Sequence, residues 1–439
     1  MNLAYPAYKY LSTCFFPVLF PLFWLYSRIT GRYREGLSQR LGLYPDNLVA
    51  GICGSPRIWI HAASVGEISV ALPIIESLTA LLPDCAIILS TTTGPGQAFA
   101  QNMLQTGKFR SKATCLYAPV DFIVSARKAL AALKPDILVC LETEIWPNWL
   151  ASAHKMGIKT ALINGRISVH SIKGYLKIRP LMKETLQYVD AFSMIRAADA
   201  QRLKMIGAPQ DKIEINGNAK YDLLLHQADA SLKTKMEALY NLNKDEPVFV
   251  AGSTRGAEGK IILDVYQKIV QTLPETILII APRHVERAPH IKDLVKERGF
   301  SCQLRTELDN RECLRTAPVV IIDTLGELPA IYSIASIVFC GGSLVPLGGQ
   351  NILEPAVWGK PVLYGPSMED FLDAKELLDR TGGGIQVKDG PDLAAKAIYY
   401  LTHPHAAESI GQAAKRAVML NKGAADKHAA VIYRLLSQK

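Results

Sequence analysis

The 439-residue sequence lacks three patterns that mark common kinds of site. Its eight cysteines form no C-x-x-C pair, no Asp-x-Asp motif occurs, and no Walker P-loop is present. Scattered cysteines without ligand spacing argue against structural zinc and are typical of a reducing, cytosolic compartment. Without an Asp-x-Asp motif, nothing in the sequence indicates a metal ion that bridges a nucleotide diphosphate, so we predict no metal site.

Charge and composition narrow the classes of partner. Apolar residues make up 49% of the chain, which is enough for a large core and is typical of an α/β protein. The 49 Lys and Arg residues outnumber the 40 Asp and Glu residues and give a net charge of +9. This excess favours an anionic partner such as a phosphate or an acidic lipid. Aromatic residues do not alternate with basic ones in a strand pattern, so we expect no nucleic acid.

Residues 1–45 are predicted to form a membrane anchor with a basic flank. Residues 11–26 are almost wholly apolar, although Pro17 and Pro21 interrupt a run that is short for a span. No small-residue cleavage site follows, which argues against a removed signal peptide. The flank, which the positive-inside rule places in the cytoplasm, carries Arg28, Arg32, Arg34 and Arg40. A spanning and an interfacial helix both remain open, and the alternative is a buried first helix.

Apolar runs separated by helical stretches predict two doubly wound sheets. In the first half, the candidate strands are 57–62, 86–91, 137–141, 160–163, 191–195 and 213–215. In the second half, they are 248–251, 277–281, 319–322, 337–340 and 361–364. We predict Rossmann-like domains at 46–222 and 247–410, joined by a linker at 223–246, with a cleft between them. Ligands are expected at the carboxyl ends of the strands.

The stretch 337–355, IVFCGGSLVPLGGQNILEP, is the most distinctive part of the second half. A buried strand is followed by two glycine pairs, which allow sharp turns and the close approach of a ligand. Asn351 then stands where the N-cap of a helix belongs, and a helix N-terminus behind a glycine-rich loop suits a phosphate. The alternative is a capping box made by Asn351 and Glu354, and both can share one geometry.

Polar residues follow several strands of the first half. Glu67, in HAASVGE, is a candidate general base, or else an acid placed favourably in the first turn of a helix. Glu142 and Glu144, in ETEIWPN, are candidates to steer the base or stabilise charge, or else caps before Pro147. Lys220, in GNAK, suits a leaving phosphate or a sugar-acid carboxylate, although an exposed lysine without a role is the stronger interpretation of this residue alone.

Polar residues also follow the strands of the second half. Arg283, in APRH, can hold a phosphate through two hydrogen bonds. Gly326, in DTLGEL, has backbone groups beside it for a base or a ribose, and GSTR at 252–255 adds hydroxyls and a guanidinium. The convergence of four such strand ends on one sheet indicates a ligand site more strongly than any single motif.

Together these motifs resemble the bacterial 3-deoxy-D-manno-octulosonic acid (Kdo) transferase family. Besides the apolar N-terminus, the matching segments cover nearly the whole chain in the expected order: REGL with QRLG at 34–42, HAASVGE, ETEIWPN, NGR at 164–166, APRH, DTLGEL, and GGS with GGQNILEP. The resemblance implies a GT-B fold in which a C-terminal helix at 411–439 crosses back to the first domain. It also implies transfer of Kdo from CMP-Kdo to a lipid A precursor at the cytoplasmic face of the inner membrane.

The resemblance assigns roles residue by residue. Glu67 matches the proton acceptor, and Glu142 and Lys220 match positions that stabilise the transition state. The CMP-binding positions of the family correspond to Pro282, Arg283, Leu325, Gly326, Glu327, Asn351, Ile352, Leu353 and Glu354. The implied partners are CMP-Kdo, a lipid A precursor and membrane lipids, with neither a metal nor a separate cofactor. This agrees with chemistry, since one phosphate can be neutralised by cationic side chains and a helix terminus.

A basic segment and two competing functions complete the predictions. Residues 172–183 mix apolar residues with Lys173, Lys177, Arg179 and Lys183. They predict contact with acidic lipid or acceptor phosphates, or else an ordinary solvated helix face. The competing functions are a GT-B enzyme that uses a UDP-sugar and a lipid acceptor, and a membrane-attached nucleotide-binding module without turnover. Competition by CMP or UDP separates the two enzymes, and product formation separates both from the module.

Overall fold

The computed structural model describes residues 4–30, 35–106, 112–243, 246–309 and 314–438, so Arg32 and Arg34 of the predicted basic flank lie outside the described residues. The chain divides into two compact units. The first unit consists of Met1–Leu223 and Gly423–Lys439, and the second unit is Leu224–Lys422. The chain thus re-enters the first unit at Gly423, whereas the sequence predicts a crossing helix from residue 411.

The strands of each unit form one sheet with parallel pairing throughout the described residues. The first unit contains β1 (Arg57–His61), β2 (Ala86–Thr91), β3 (Ala113–Tyr117), β4 (Ile137–Leu141), β5 (Lys159–Gly165), β6 (Ala191–Met194) and β7 (Ile213–Ile215). The second contains β8 (Val248–Thr254), β9 (Ile277–Pro282), β10 (Cys302–Leu304), β11 (Val319–Ile321), β12 (Ile337–Cys340), β13 (Val362–Tyr364) and β14 (Gly384–Gln386).

Helices lie between the strands and at both ends of the chain. Those that begin before residue 223 are α1 (Ala4–Thr30), α2 (Leu37–Arg40), α3 (Asp46–Ala50), α4 (Val65–Leu81), α5 (Gly94–Thr106), α6 (Ile123–Leu133), α7 (Pro147–Lys155), α8 (Val169–Lys177), α9 (Arg179–Gln187), α10 (Ala197–Ile206) and α11 (Lys220–Gln227). The later ones are α12 (Ala230–Leu239), α13 (Glu258–Thr272), α14 (Ala288–Glu297), α15 (Leu328–Ile331), α16 (Leu353–Val357), α17 (Leu372–Thr381), α18 (Gly390–Thr402), α19 (Pro404–Met419) and α20 (Ala424–Ser437).

The order of the strands places a switch point in each sheet. The first sheet has the order β3-β2-β1-β4-β5-β6-β7, and the second has the order β10-β11-β9-β8-β12-β13-β14. The winding reverses between β1 and β4, where His61 pairs with Cys140, and between β8 and β12, where Gly252 pairs with Cys340. Ligands of doubly wound sheets bind at the carboxyl ends of strands beside such a reversal. The predicted α/β class with two doubly wound parallel sheets is confirmed.

The sequence predicts the inner strands but not three strands at sheet edges, β3, β10 and β14. The residues of β10 are all only partly buried, and β14 has a single buried residue. An inner strand of a parallel sheet is covered on both faces and therefore needs a continuous apolar run. An edge strand with partial cover does not, which is why its pattern is weak.

Alternating side chains build a core on each face of the first sheet. Trp59 and Leu138 face one side, and Ile58 and Ile60 face the other, all with 1% exposure or less. Helix α20 belongs to the second of these cores through Ala429 and other apolar residues. The final helix is therefore part of the first unit's interior.

Hydrogen bonds at the start of α20 fix the point where the chain returns. The carboxylate of Asp222 accepts from the backbone N–H groups of Gly423 at 2.6 Å and Ala425 at 2.8 Å. The preceding helix α19 packs instead against α16 and α17 of the second unit. The change of unit thus falls between α19 and α20, after residue 411, where the family resemblance implies the start of the crossing helix.

Helix α1 is bent within the apolar N-terminal segment. Among the described residues no single helix has the length and hydropathy to cross a bilayer, but Ala4–Phe16 and Phe20–Thr30 meet these criteria together, with a bend of 55°. The break lies beside Pro17 and Pro21, which remove backbone donors from the helix interior. Its first half packs on the first unit, where the Tyr8 hydroxyl donates to the carboxylate of Asp121 at 2.8 Å.

Apolar side chains of α1 remain exposed along its second half. Those with at least 40% exposure are Val18, Leu22, Trp24, Leu25, Tyr26 and Ile29. Such a contiguous apolar face is unusual on a soluble surface. The rest of the first unit therefore leaves these six side chains exposed.

Candidate functional site

Three glutamates follow β1 and β4 at the switch point of the first sheet. Glu67 lies in the first turn of α4, directly after β1, and Glu142 and Glu144 follow β4. Because β1 and β4 are hydrogen-bonded neighbours, the pairing brings these two segments to the same edge of the sheet. The structure thus joins HAASVGE and ETEIWPN into one cluster of carboxylates.

Glu67 is half-buried, and its carboxylate is held by its own turn. It accepts hydrogen bonds from the backbone N–H of Ala63 at 2.8 Å and from the Ser64 hydroxyl at 3.2 Å. Burial, reinforced by the negative charges of Glu144 and Glu142, raises the pKa of Glu67 to about 7 despite these bonds. A carboxyl with such a pKa can accept and release a proton near neutral pH.

Glu144 is oriented by two aromatic side chains. The indole N–H of Trp146 donates to its Oε2 atom at 2.8 Å, and Nε2 of His61 lies 3.4 Å from the same oxygen. Burial raises the pKa of Glu144, but the contacts from His61 and Trp146 outweigh it and hold the pKa below its usual value. Glu144 therefore provides a lasting negative charge beside Glu67.

The orientation of His61 follows from Ser90 on the neighbouring strand β2. The Ser90 hydroxyl oxygen lies 2.8 Å from the indole nitrogen of Trp59 and 2.9 Å from Nδ1 of His61. The indole N–H donates to the Ser90 oxygen, which leaves the Ser90 hydroxyl hydrogen available to Nδ1. Because Nε2 faces the carboxylate of Glu144 at 3.4 Å, the tautomer with its hydrogen on Nε2 suits both neighbours of the imidazole.

Glu142 adopts a backbone conformation that is rare for a glutamate. Its φ of 52° lies in the left-handed region, which costs about 1–3 kcal/mol for a residue other than glycine. Its N–H donates to the carbonyl of Ile163 in β5 at 3.1 Å, which helps to hold this conformation. Burial raises the pKa of Glu142, although the positive charges of Arg166 and Lys220 oppose the shift.

Lys220 lies close enough to Glu142 to act on its charge. It is exposed at the start of α11, and the turn before it is fixed by the Asn164 side chain, which accepts from the N–H of Ala219 at 2.9 Å. Asn164 also has a left-handed φ of 52°. The structure thus brings Glu67, Glu142 and Lys220 together in one region of the first unit.

A cavity of about 240 Å³ opens at the carboxyl ends of the strands of the second unit. Six of the residues predicted to bind CMP line it: Pro282, Arg283, Leu325, Gly326, Asn351 and Glu354. Ser253, with a φ of 54°, and Gln350 contribute as well. Ser253 lies in the irregular end of β8, where the register shifts between Ala251 and Thr254. The cavity therefore lies at the switch point of the second sheet.

Three predicted residues do not line this cavity. Glu327 instead pairs with Arg305 at 2.8 Å and accepts from the Thr324 hydroxyl at 2.5 Å. The side chains of Ile352 and Leu353 are buried, with 0% and 6% exposure. The buried side chains of Ile352 and Leu353 leave their backbone groups for a ligand, whereas the Glu327 side chain is 30% exposed.

Asn351 is not the N-cap of the helix that follows. Helix α16 begins at Leu353, and its N-cap is Ile352. The Asn351 side chain still accepts from the N–H of Leu353 at 3.2 Å, and its amide donates to Glu354 at 3.1 Å. The expected capping box is replaced by a bond between two side chains, because the backbone enters the helix one residue later.

The amides of the first glycine pair bind a carboxylate of the protein itself. Glu258, which is fully buried in the first turn of α13, accepts from the N–H groups of Gly342 at 2.6 Å, Ser343 at 3.0 Å and Leu344 at 2.9 Å. The phosphate expected at this loop therefore has no free N–H groups at these three positions. Only the second pair, Gly348 and Gly349, leads directly to cavity residues.

Sequence reasoning missed His61, Ser90 and Glu258. The sequence features that could have indicated them are a histidine at the end of an apolar strand and a glutamate three residues after Arg255. This spacing does correspond to a contact, since the N–H of Arg255 donates to Glu258 at 2.8 Å. Neither signal shows which distant segment the side chain meets.

The basic segment 172–183 forms the later part of α8 and the start of α9. Its Ile172 and Met182 side chains face the interior of the first unit. The four basic side chains are exposed, namely Lys173, Lys177, Arg179 and Lys183. The arrangement is amphipathic, and the predicted contact with lipid or acceptor phosphates stays a prediction.

Comparison with known proteins relates the first unit to a family model and most of the chain to individual relatives. Residues 35–223 match the family model described as 3-deoxy-D-manno-octulosonic-acid transferase (kdotransferase). The chain is 31% identical to the 3-deoxy-D-manno-octulosonic acid transferase of Haemophilus influenzae over 93% of both chains. It is 34% identical to a bifunctional glycosyltransferase/methyltransferase of Fusobacterium nucleatum, over 74% of this chain, and spans only half of that relative's length.

Solved structures share the arrangement of two Rossmann-like sheets. The UDP-GlcNAc 2-epimerase of Neisseria meningitidis bound to UDP-GlcNAc matches with a TM-score of 0.60 and 14% identity, over 87% of this chain and all of that one. A glycosyltransferase from Rickettsia africae matches with a TM-score of 0.54 and 15% identity, over 87% of this chain and 99% of that one. At this identity the likeness concerns the fold, which is of the GT-B type.

Proposed function

This chain belongs to the 3-deoxy-D-manno-octulosonic acid transferase family of glycosyltransferases, and from that premise we propose that it transfers Kdo from CMP-Kdo to a lipid A precursor. The acceptor is a lipid IVA-type molecule, and the reaction serves lipopolysaccharide assembly in the cell envelope. The observation that carries the proposal is Glu67, a carboxyl with a pKa of about 7 among two further carboxylates at the switch point of the first sheet.

Glu67 acts as the general base in this proposal. An acceptor sugar hydroxyl attacks the anomeric carbon of Kdo and loses its proton to the Glu67 carboxylate. The bond between that carbon and the phosphate oxygen breaks, and CMP leaves with the bonding electrons. General bases with a pKa near the working pH contribute about 10²–10⁴-fold to such rates.

Cationic side chains stabilise the charge that develops on the donor. Lys220 belongs to the first unit, and its positive charge already acts on Glu142. We assign it the stabilisation of negative charge in the transition state. Arg283, which lines the cavity of the second unit, is assigned to the phosphate of CMP because a guanidinium binds phosphate through two parallel hydrogen bonds. The remaining cavity residues, Leu325, Gly326, Asn351 and Glu354, are assigned to the nucleoside. A single phosphate can be neutralised by cationic side chains without a metal ion.

Attachment to the inner membrane is part of the proposal. The exposed apolar side chains of α1 favour burial in lipid, at about 25 cal/mol per Å² of apolar surface. The exposed basic side chains of α8 and α9 add attraction to anionic headgroups of the cytoplasmic leaflet. An acceptor embedded in that leaflet would then be reached without leaving the membrane.

A transfer assay tests the proposed reaction. The full chain in detergent receives CMP-Kdo, generated in place, and tetraacylated lipid A precursor in the presence of a chelator, and the products are weighed by mass spectrometry. We expect additions of whole Kdo units by the wild type, an undiminished rate with chelator, and none with Glu67→Ala. Asp84→Asn is the matched control, because this carboxylate of the first unit is exposed.

The other outcomes are equally decisive. Inhibition by UDP but not by CMP would indicate a UDP-sugar donor in place of CMP-Kdo. CMP binding without any product would indicate a nucleotide-binding module or a different acceptor. A Glu67→Ala protein that remains active would move the base to Glu142 or Glu144.

A further inference from the structure

Glu258 occupies a nest of backbone amides that has the form of an anion site. Three successive N–H groups, of Gly342, Ser343 and Leu344, converge on its two carboxylate oxygens within 3.0 Å. Successive N–H groups around a positive φ, here 68° at Gly342, commonly bind phosphates or other anions. In this chain a buried side chain takes the place of such an anion.

The same loop is fixed to the end of β8. A Cβ atom at Gly341 would lie 2.5 Å from the backbone oxygen of Ser253, so only glycine allows the two strand ends to approach this closely. Ser253 itself lines the cavity. Glu258 therefore holds the loop at 341–344, and this loop packs against Ser253 at the edge of the cavity.

Hydrogen bonds continue from the nest to the second glycine pair. The carbonyl of Gly342 accepts from the N–H of Gly349 at 2.8 Å. The carbonyl of Ser343 accepts from the N–H of Ser367 at 3.0 Å, and the Ser367 hydroxyl accepts from the N–H of Gly348 at 3.0 Å. Gln350 and Asn351, the next residues, line the cavity. The position of these two side chains thus depends on the loop that Glu258 holds.

We propose that Glu258 is a positioning residue of the donor site, whose carboxylate fills the amide nest of residues 342–344 in place of a ligand anion and thereby sets the cavity wall formed by Ser253, Gln350 and Asn351. The identity of the donor rests on the proposed function, whereas the occupied nest does not. Because the nest is filled, the donor phosphate is bound from the cavity side, where Arg283 lies.

Two variants separate positioning from mere stabilisation. Glu258→Ala empties the nest, and a small carboxylate such as acetate is expected to refill it. Glu258→Gln retains the volume but directs an NH₂ group at backbone donors, so it leaves N–H groups unsatisfied and no room for acetate. Glu297→Ala removes an exposed acid of the same unit and serves as the matched control.

The experiment measures thermal unfolding and CMP affinity of the full chain in acetate and in chloride at equal ionic strength. We expect acetate to raise the Tm of Glu258→Ala but not that of the wild type, Glu297→Ala or Glu258→Gln. We expect CMP affinity to fall at least about tenfold in both Glu258 variants and to be restored by acetate only in Glu258→Ala. In turnover, the KM for the donor should rise more than kcat falls.

Contrary results are distinct from failure of the proposed function. Equal CMP affinity in wild type and Glu258→Gln would overturn the positioning role, as would an unfolding temperature of Glu258→Ala that acetate does not change. If Glu258→Ala does not fold, the CMP affinity of Glu258→Gln decides alone. If the wild type itself binds no CMP, the donor assignment fails, while the acetate response still decides whether the nest binds carboxylates.

Discussion

Nε2 of His61 lies 3.4 Å from the Oε2 atom of Glu144, and the imidazole has no exposed surface. The contact joins the end of β1 to the segment after β4, across the switch point of the first sheet. Through it a fully buried residue orients a carboxylate that acts electrostatically on Glu67. The proton affinity of the proposed base therefore depends partly on a residue without exposed surface.

Removing the charge of Glu144 should make Glu67 a weaker base. Glu144→Gln retains an oxygen for the indole of Trp146 but eliminates the negative charge that helps to raise the pKa of Glu67. The acidic limb of the pH profile of kcat/KM should move to lower pH, on the order of half a unit. A limb that does not move in this variant would show that the charge of Glu144 does not contribute to the pKa of Glu67.

The wild-type rate should rise with pH through about 7. Glu67 accepts a proton only when ionised, and its pKa is about 7, so activity grows as the pH passes this value. Glu67→Gln should lower kcat about 10²–10⁴-fold and abolish this limb, whereas Asp84→Asn should change neither. The measurement is the initial rate of transfer between pH 5 and pH 9 at saturating donor, roughly two units on either side of the pKa. Persistence of the limb in Glu67→Gln would assign it to another group.

Loss of Arg283 should weaken donor binding with little effect on the acceptor. Arg283→Lys keeps the charge but loses the two parallel hydrogen bonds that a guanidinium makes to phosphate, so we expect CMP affinity to fall about tenfold. Arg380→Ala, at an exposed position of α17, is the control. Calorimetric titration of CMP measures the effect, and an unchanged affinity would remove Arg283 from the phosphate site.

His428 should make the first unit sensitive to acid. Its Nδ1 lies 2.7 Å from the Ser193 hydroxyl and its Nε2 lies 3.1 Å from the carbonyl of Gly217, and burial lowers its pKa from 6.5 to about 4. Below pH 6.5 the unfolded chain gains a proton that the folded chain refuses until about pH 4. Its contribution to the free energy of unfolding is thus full above pH 6.5 and declines, by roughly 3 kcal/mol, as the pH falls to 4.

The test is the difference between the wild type and His428→Gln. Glu67 and Asp121 have raised pKa values, so their protonation works in the opposite direction as the pH falls. Denaturant unfolding gives the free energy of unfolding of each protein between pH 7 and pH 4. The wild-type value minus the variant value isolates the contribution of His428. A difference that stays constant over this interval would contradict the prediction.

The sequence predicts what continuous apolar runs and strand ends can show. The inner strands and the positions of Glu67 and Glu142 after β1 and β4 follow from these patterns. The edge strand β10 does not, because partial burial removes the apolar signal. The roles proposed for HAASVGE and ETEIWPN come from the resemblance to a known family and not from these patterns.

Side-chain contacts that depend on the order of strands in the sheet could not be predicted from the sequence. His61 meets Ser90 only because β1 pairs with β2, and Glu258 meets Gly342 only because β8 pairs with β12. Asn351 was expected to cap α16, but the N-cap is Ile352, so the helix starts one residue later. Each of these outcomes is decided by strand pairing or by local backbone geometry, neither of which leaves a mark in composition.

Because α20 belongs to the first unit, that unit can be completed only after the second unit has been synthesised. The ribosome completes β1 to β7 and then the entire second unit before residues 424–437 emerge. Until then, the apolar surface that Ala429 and Ile432 cover lies open on the nascent first unit. Domains generally fold as units from the N-terminus onward. Here the first unit begins to be synthesised before the second but is completed after it. A ribosome that stops after α19 would thus release a complete second unit beside an incomplete first one.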